Sequence, residues 1–409
     1  MPVDQVAVTE HQLIEILSRG EGHFLDFKSR DIAPAHLTRT LSAFANADGG
    51  ELFLGIEDGT LPDLTRWRGF DNVEGANGFI QTFEQFFPLG THFRYQFLGL
   101  VGQQGLVLHV EIAKTPDVRA ASNGRIYLRR GAQNLPQDTD EKLNRLKFNK
   151  GIHSFEDHLT NSETTAVSNS VAILDFMLEN IPSAEPLPWL RKQQLISDDR
   201  PTVAAVLLYA DEPQATLPKS GIKIYRYKTA EEGTRDTLTG NPTTIEGYAY
   251  NAIRDAVEKT IEIVEGISII GSSGLEKVVY PRESIHEIIT NAVLHRDYSL
   301  NDEIHIRIFD NRIEVQSPGT LPAHVTVANI LDERFSRNPR IVRLINKYKN
   351  PPNKDVGEGL NTAFEAMRKL KLKDPVIEQL NGSVRATLRH GNCSGCWSGG
   401  EDWLAFEGL

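Results

Sequence analysis

Cysteine is nearly absent from the 409-residue chain: two occur, beside three methionines and four tryptophans. Two thiols cannot supply a disulfide framework for such a length, and the usage is that of a reducing, cytoplasmic compartment. Both lie near the end, in His390-x-x-Cys393-x-x-Cys396, one ligand short of a closed zinc site. A Gly-rich tail over 391–409 is the plainer reading. Long apolar runs are missing too. The longest, 202–210, has the length of a strand, far below the ~20 residues a membrane helix needs. No membrane partner is therefore expected. The opening MPVDQVAVTEHQ has no basic segment followed by an apolar one, so no secretory signal is read there. Positive charge is in deficit, with 44 Lys and Arg against 55 Asp and Glu and a net charge of −11. That excludes a protein that coats nucleic acid indiscriminately but leaves room for a local basic groove. No Gly-Lys dipeptide occurs, which excludes a P-loop. Repeats and low-complexity tracts are also lacking.

What is present is most concentrated in residues 281–299, PRESIHEIITNAVLHRDYS. Pro281 suits a first helical position, where its missing N–H would be unpaired anyway. Ile285, Ile288, Ile289 and Ala292 recur at i, i+3, i+4, i+7 and form one apolar stripe. Glu287 and Asn291 stack one turn apart on the opposite face, and His295 continues their row. Such a pair reads in two ways. It is a solvated face of a packed helix, or it works: the carboxylate deprotonates a water for attack on a terminal phosphate, and the amide oxygen ligates Mg²⁺. Downstream, Ile304, Ile306 and Ile308 alternate, Asp310-Asn311 supply a tight turn, and Ile313 and Val315 alternate back. This predicts a hairpin. Gly357 and Gly359 then precede a helix carrying Leu360, Ala363, Phe364 and Met367. Glycines at a helix start let bare N–H groups approach an anion.

The order of these parts (Glu-x-x-x-Asn helix, hairpin ending in Pro-Gly, Gly-x-Gly at a helix start) resembles the GHKL ATPases, the class of gyrases and histidine kinases. The wording of 287–299, 317–322 and 337–340 resembles the divergent branch of that class found in bacterial Schlafen-like proteins. The resemblance implies ATP and Mg²⁺ as cofactors. It also implies Glu287 as the catalytic base, Asn291 as metal ligand, and Ser317, Gly319, Gly357 and Gly359 lining the nucleotide. The commoner pattern has an Asp where this chain has Ser317-Pro318-Gly319.

Toward the N-terminus, 4–19 reads as a short helix with Leu13, Ile16 and Leu17. GEGHFLDFKSR follows, and then a helix opened by Pro34 and carrying Leu37, Leu41, Phe44 and Ala45. Asp48-Gly49-Gly50 stops that helix, and ELFLGIED is a strand. The Phe-rich stretch 70–100 is core. GLVLHVEIAK and GRIYLRRG are strands, the second carrying Arg125, Arg129 and Arg130. Glu21, Asp26-Phe27-Lys28, Ala43-Phe44-Ala45-Asn46, Gly49-Gly50 and 132–138 together resemble the AlbA-2 domain of Schlafen proteins. An Asp stands at 26 where that family has Glu. In Schlafen ribonucleases such acids hold Mg²⁺ or Mn²⁺ for phosphodiester hydrolysis, which by position implies Glu21, Asp26 and either Glu57 or Asp58. Lys28, Arg125, Arg129 and Arg130 would contact phosphates.

The middle shows helices in SVAILDFMLENI and WLRKQQLI. PTVAAVLLYA and SGIKIYRYK read as two strands of one sheet, and 244–267 as a long amphipathic helix. The expected fold class is α/β (α+β). It comprises an AlbA-2/Schlafen-like domain over 1–150, an α/β connector over 151–280 and a GHKL-like α/β sandwich over 281–390. The expected function is ATP-regulated processing of RNA or DNA by a cytoplasmic bacterial homo-oligomer, with a metal-dependent nuclease in front and a role in phage defence. A non-catalytic, ATP-responsive DNA-binding regulator is the alternative, and a scaffold with both pockets degenerate is a third.

Overall fold

The computed structural model describes residues 4–59, 64–271, 274–333, 335–352 and 359–390. The chain divides into two compact units, Met1–Ser154 with Leu321–Arg337, and Phe155–Thr320 with Asn338–Leu409.

Unit 1 runs β1 (Asp4–Val8), α1 (Glu10–Ser18), β2 (Leu25–Lys28), α2 (Pro34–Asn46), β3 (Gly50–Leu54), α3 (Asn77–Phe86), β4 (Phe93–Leu100) and β5 (Leu106–Ile112). The hairpin β6 (Tyr127–Arg130)–β7 (Gln133–Pro136) and α4 (Asp140–Asn149) follow. The sheet order is β1-β4-β5-β3-β2. Residues 4–8, expected as helix, are instead a strand parallel to β4, pairing Asp4 with Gln96 through Val8 with Leu100. The reason is Thr9. It builds a capping box with Gln12, accepting from the Gln12 N–H at 3.3 Å while Gln12 Oε1 accepts from Thr9 N at 2.8 Å. The helix therefore starts at Glu10 and leaves the preceding residues to the sheet. The Phe-rich stretch is core as expected, with Phe70, Phe79, Phe83, Phe87, Phe93 and Phe97 in one cluster with Leu41 and Phe44. Gly49 sits at φ +85, and a Cβ there would lie 2.7 Å from Ile112 O. No other residue turns α2 into β3 so tightly.

Unit 2 begins with α5 (Thr165–Ser168), α6 (Val171–Asn180), α7 (Pro186–Lys192), the short pair β8 (Ile196–Ser197) and β9 (Arg200–Pro201), and α8 (Val203–Tyr209). It continues through β10 (Ile222–Arg226), β11 (Thr243–Ile245), α9 (Ala249–Glu265), the hairpin β12 (Ser268–Gly271)–β13 (Gly274–Lys277) and α10 (Arg282–Leu294). Last come β14 (Ile304–Ile308), β15 (Arg312–Pro318), α11 (Pro339–Ile345), α12 (Gly359–Lys369), β16 (Val376–Leu380) and β17 (Ser383–Arg389). Its sheet is ordered β11-β10-β14-β15-β17-β16. The hairpin expected at Asp310-Asn311 is β14–β15, antiparallel with Ile308 opposite Ile313. One face of the sheet (Ile222, Ile224, Ile304, Ile306, Ile308, Ile313, Val315, Leu388) shares a core with α9, α10 and α12 through Ile253, Val257, Ile285, Ile289, Ala363 and Met367. The outcome is a helix-on-sheet layer, the mixed α/β class expected. Two stretches differ from expectation. The start of the expected long helix falls in strand β11, and α9 begins only at Ala249, after the cap position Tyr248. Residues 203–209, read as a strand, form α8, capped by Thr202 Oγ1 accepting from Ala205 N at 3.2 Å. All seven residues are buried, so the run has no polar face whose period could separate helix from strand.

Candidate functional site

In unit 2 the apolar stripe of α10 faces the core and turns Glu287 and Asn291 aside together. Pro281 takes the capping position and Arg282 is the first helical residue. Glu287 is 8 % exposed. Asn291 Nδ2 donates to Glu287 Oε1 at 2.8 Å, which turns the amide oxygen the other way. Burial pushes the Glu287 carboxyl above its ordinary value, and the Asn291 bond offsets only part of this. A raised carboxylate is a better proton acceptor near neutrality. Gly359 opens α12 against this carboxylate, and a Cβ at 359 would collide with Glu287 Oε1. Ser284 Oγ donates to Ala363 O at 2.8 Å and fixes the two helices together. Gly359 lies far along the chain from Glu287 and Asn291, and the fold brings it against Glu287.

The other expected nucleotide contacts are engaged in structure. Ser317 Oγ donates to Ala292 O at 2.8 Å. The backbone N–H of Gly319, at φ +114, donates to Gly382 O at 2.8 Å. That N–H is thus not presented to a phosphate. Gly357, Cys393 and Cys396 lie outside the described residues.

In unit 1 the loop before β2 and β2 itself bring Glu21, Asp26 and Lys28 together. Lys28 Nζ lies 3.2 Å from Glu21 Oε1 and 2.9 Å from Asp26 Oδ1, and donates to Phe27 O at 2.8 Å. Burial alone would raise the Glu21 carboxyl, but the Phe27 N–H and Lys28 outweigh it and hold it below its usual range. Asp26, 3 % exposed, is raised because burial outweighs the attraction of Lys28. Burial would lower the Lys28 ammonium, yet Asp26 and Glu21 keep it above its ordinary value. Glu57 points to a different set, accepting from Ser29 Oγ at 2.9 Å and from Arg68 Nη1 at 3.4 Å. Asp58 is exposed. Among the described residues no group of three or more His, Cys, Asp or Glu could hold a metal ion. The expected carboxylate set does not converge. The cation between Glu21 and Asp26 is the chain's own ammonium.

Arg129 is not a phosphate contact. It is 2 % exposed. It donates to Gly22 O at 3.1 and 2.8 Å and to Asn134 Oδ1 at 2.8 Å, and lies 3.4 Å from Asp26. Its alternation in β6 turns Arg129 inward and leaves Arg130 exposed, as Arg125 is. Sequence reasoning missed Asn46 as a tie: its amide donates to Arg119 O at 2.7 Å and Tyr127 O at 2.9 Å, holding β6 to α2. It also missed the buried Lys114 and Lys150. Lys150 Nζ donates to Ala45 O at 2.9 Å and Thr115 O at 2.5 Å. A single lysine in a polar stretch carries no local signal of burial.

Residues 21–138 match the family model described as Schlafen, AlbA_2. Residues 301–388 match HATPase_c_4, described as the putative ATP-dependent DNA helicase recG C-terminal region. The chain therefore carries an AlbA_2 domain followed by a HATPase-like domain, the architecture its wording resembles. Together they point to a nucleic-acid-related, ATP-dependent function. The second match begins after Glu287 and Asn291, so the assignment of those two rests on their geometry. A solved structure, the DIP2311 protein from Corynebacterium diphtheriae, is similar at 19% identity over 93% of this chain and 80% of that chain, with a TM-score of 0.46. No curated protein matches. Among the described residues no helix is long and apolar enough to cross a membrane.

Proposed function

We propose that the chain binds nucleic acid through its AlbA_2 unit under the control of ATP bound at α10 and α12. The observation that supports this most is the buried Glu287 carboxylate, bonded to Asn291 and backed by Gly359 with no room for a side chain. A carboxylate is kept there at a desolvation cost that a merely solvated helix face would not carry. In this reading Asn291 Oδ1 ligates the metal of Mg·ATP, and the start of α12 receives phosphate oxygens. Glu287 orients and deprotonates the attacking water. The Mg²⁺ ion, when bound, neutralises charge on the phosphates.

In the AlbA_2 unit, exposed Arg125 and Arg130 meet the phosphate backbone, with Lys28 at the mouth of the Glu21–Asp26 pair. The test is fluorescence anisotropy of labelled tRNA, single-stranded RNA and duplex DNA, each with and without Mg·ATP. At least one affinity should change with ATP, and Arg125→Ala with Arg130→Ala should lower the salt slope by about two. Equal affinities with and without ATP for all three would contradict the reading.

A second reading, cleavage, has one observation in its favour. Glu21 Oε1, Asp26 Oδ1 and Phe27 O all surround one cation, the Lys28 ammonium. Oxygens so arranged are the donor type that Mg²⁺ or Mn²⁺ takes, and these ions activate water at phosphodiesters. Cleavage that requires Mn²⁺ or Mg²⁺, stops with EDTA and is lost in Glu21→Ala would support it. Products formed equally by wild type and Glu21→Ala would be contamination and would sink it.

A further inference from the structure

The segment Leu321–Arg337 interrupts the HATPase-like sequence yet belongs to unit 1. Both of its ends leave unit 2 at one place, the C-terminal end of α10. On the way out, Ser317 Oγ donates to Ala292 O and Asp297 N to Pro318 O, each at 2.8 Å. On the way back, Asn338 Nδ2 donates to Leu294 O at 2.9 Å and Arg296 O at 2.8 Å. Asn338 is 1 % exposed. The helix whose end these bonds grip is the one carrying Glu287 and Asn291.

Within unit 1 the segment is fastened at several points. Ala323 N donates to Asn149 O at 3.3 Å, Ser154 Oγ to Arg337 O at 3.1 Å, and Arg337 Nη1 to Phe148 O at 3.3 Å. The Phe335 ring lies on Gly151, at φ +66, so closely that a Cβ there would collide with it. The decisive group is Lys114, 7 % exposed. Its ammonium donates to Leu321 O at 2.8 Å and Val325 O at 3.4 Å, and lies 3.4 Å from Asp48 Oδ1. The other Asp48 oxygen is 3.2 Å from His23 Nε2. His23 sits in the loop between Glu21 and Asp26, the loop whose Gly22 carbonyl Arg129 holds.

We propose that Leu321–Arg337 is a strap through which nucleotide occupancy at α10 is transmitted to the Glu21–Asp26 loop, by way of Lys114, Asp48 and His23. The proposal rests on the ATP reading above and adds to it the route of control. A buried ammonium must keep its acceptors. A displacement of Leu321 O therefore obliges Lys114 to re-aim, and with it Asp48 and the His23 loop. Lys114, Asp48 and His23 thus form a contiguous polar chain, the kind of packed network that can carry coupling between distant sites.

Hydrogen–deuterium exchange of the full chain, with and without Mg·ATP, tests the proposal without needing any nucleic acid. In wild type, ATP should alter exchange at 285–297, at 321–325 and at 21–28, by about fivefold or more at the last. Asp48→Asn keeps the shape of a side chain that is 29% exposed, and His23→Gln alters one 30% exposed. Either should retain the change at 285–297 and 321–325 and lose it at 21–28. No change at 285–297 in wild type would overturn the ATP reading and this proposal with it. A change at 285–297 with none at 21–28 would overturn this proposal alone. So would a full response at 21–28 in both variants.

Discussion

Arg129 and Lys150 show how a buried cation is made tolerable and what it costs to disturb. Arg129 offsets Asp26 across 3.4 Å and ties Gly22, Leu25 and Asn134. Removing it leaves a buried carboxylate with one cation fewer, so Arg129→Ala should destabilise unit 1 by about 3 to 5 kcal/mol. Urea unfolding measures this; a variant as stable as wild type would contradict the structural role. Lys150 is 2 % exposed, and burial together with nearby Lys114 brings its ammonium down to about 7 from the ordinary 10.5. Between those two values the unfolded chain holds a proton that the folded chain has released. Its contribution to stability therefore rises with pH through that window and is flat below it. Unfolding free energies of wild type relative to Lys150→Met, taken across pH 7 to 10, should increase with pH. A flat or falling difference would contradict the burial of a neutral amine.

At the scale of elements, Gly359 joins α12 to Glu287 on α10. Gly359→Ala should weaken ATP binding, because the Glu287 carboxylate must move aside, while stability changes little, since only the end of that side chain has to shift and alanine is the better helix former. Thermal unfolding and ATP titration check the two expectations separately. Elements with a clear period were legible in the sequence. The stripe of α10, the alternating isoleucines of β14 and the returning Ile313 and Val315 all name their own faces. α8 was not legible, because Val203–Tyr209 is buried all round and only the Thr202 cap distinguishes helix from strand. β1 was hidden for the opposite reason: its first four residues are exposed, and the Leu13–Leu17 spacing drew the helix too far back. Of the candidate sites, the Glu287–Asn291 pair follows from helical spacing, but Gly359 beside it is a long-range contact that no local pattern carries. Likewise, β6 alternation gives Arg129 and Arg130 opposite sides without saying which one is inside.

For the whole chain, the order of the two domains was legible because family wording is local, whereas the strap was not. Leu321–Arg337 reads in sequence as part of the HATPase-like domain and folds into the other unit. The net charge of −11 adds a general repulsion from nucleic acid that salt screens, so the fall of binding with salt should be shallow and set by the few exposed arginines. Control by ATP requires nucleotide binding by Glu287, Asn291 and the start of α12, and isothermal titration of the intact protein with Mg·ATP tests that most directly. Wild type and Glu287→Gln should bind with similar affinity, only wild type should hydrolyse, and Asn291→Ala should lose binding by about tenfold or more through loss of the metal's protein ligand. No heat of binding in wild type, or an Asn291→Ala variant that binds as wild type does, would contradict it.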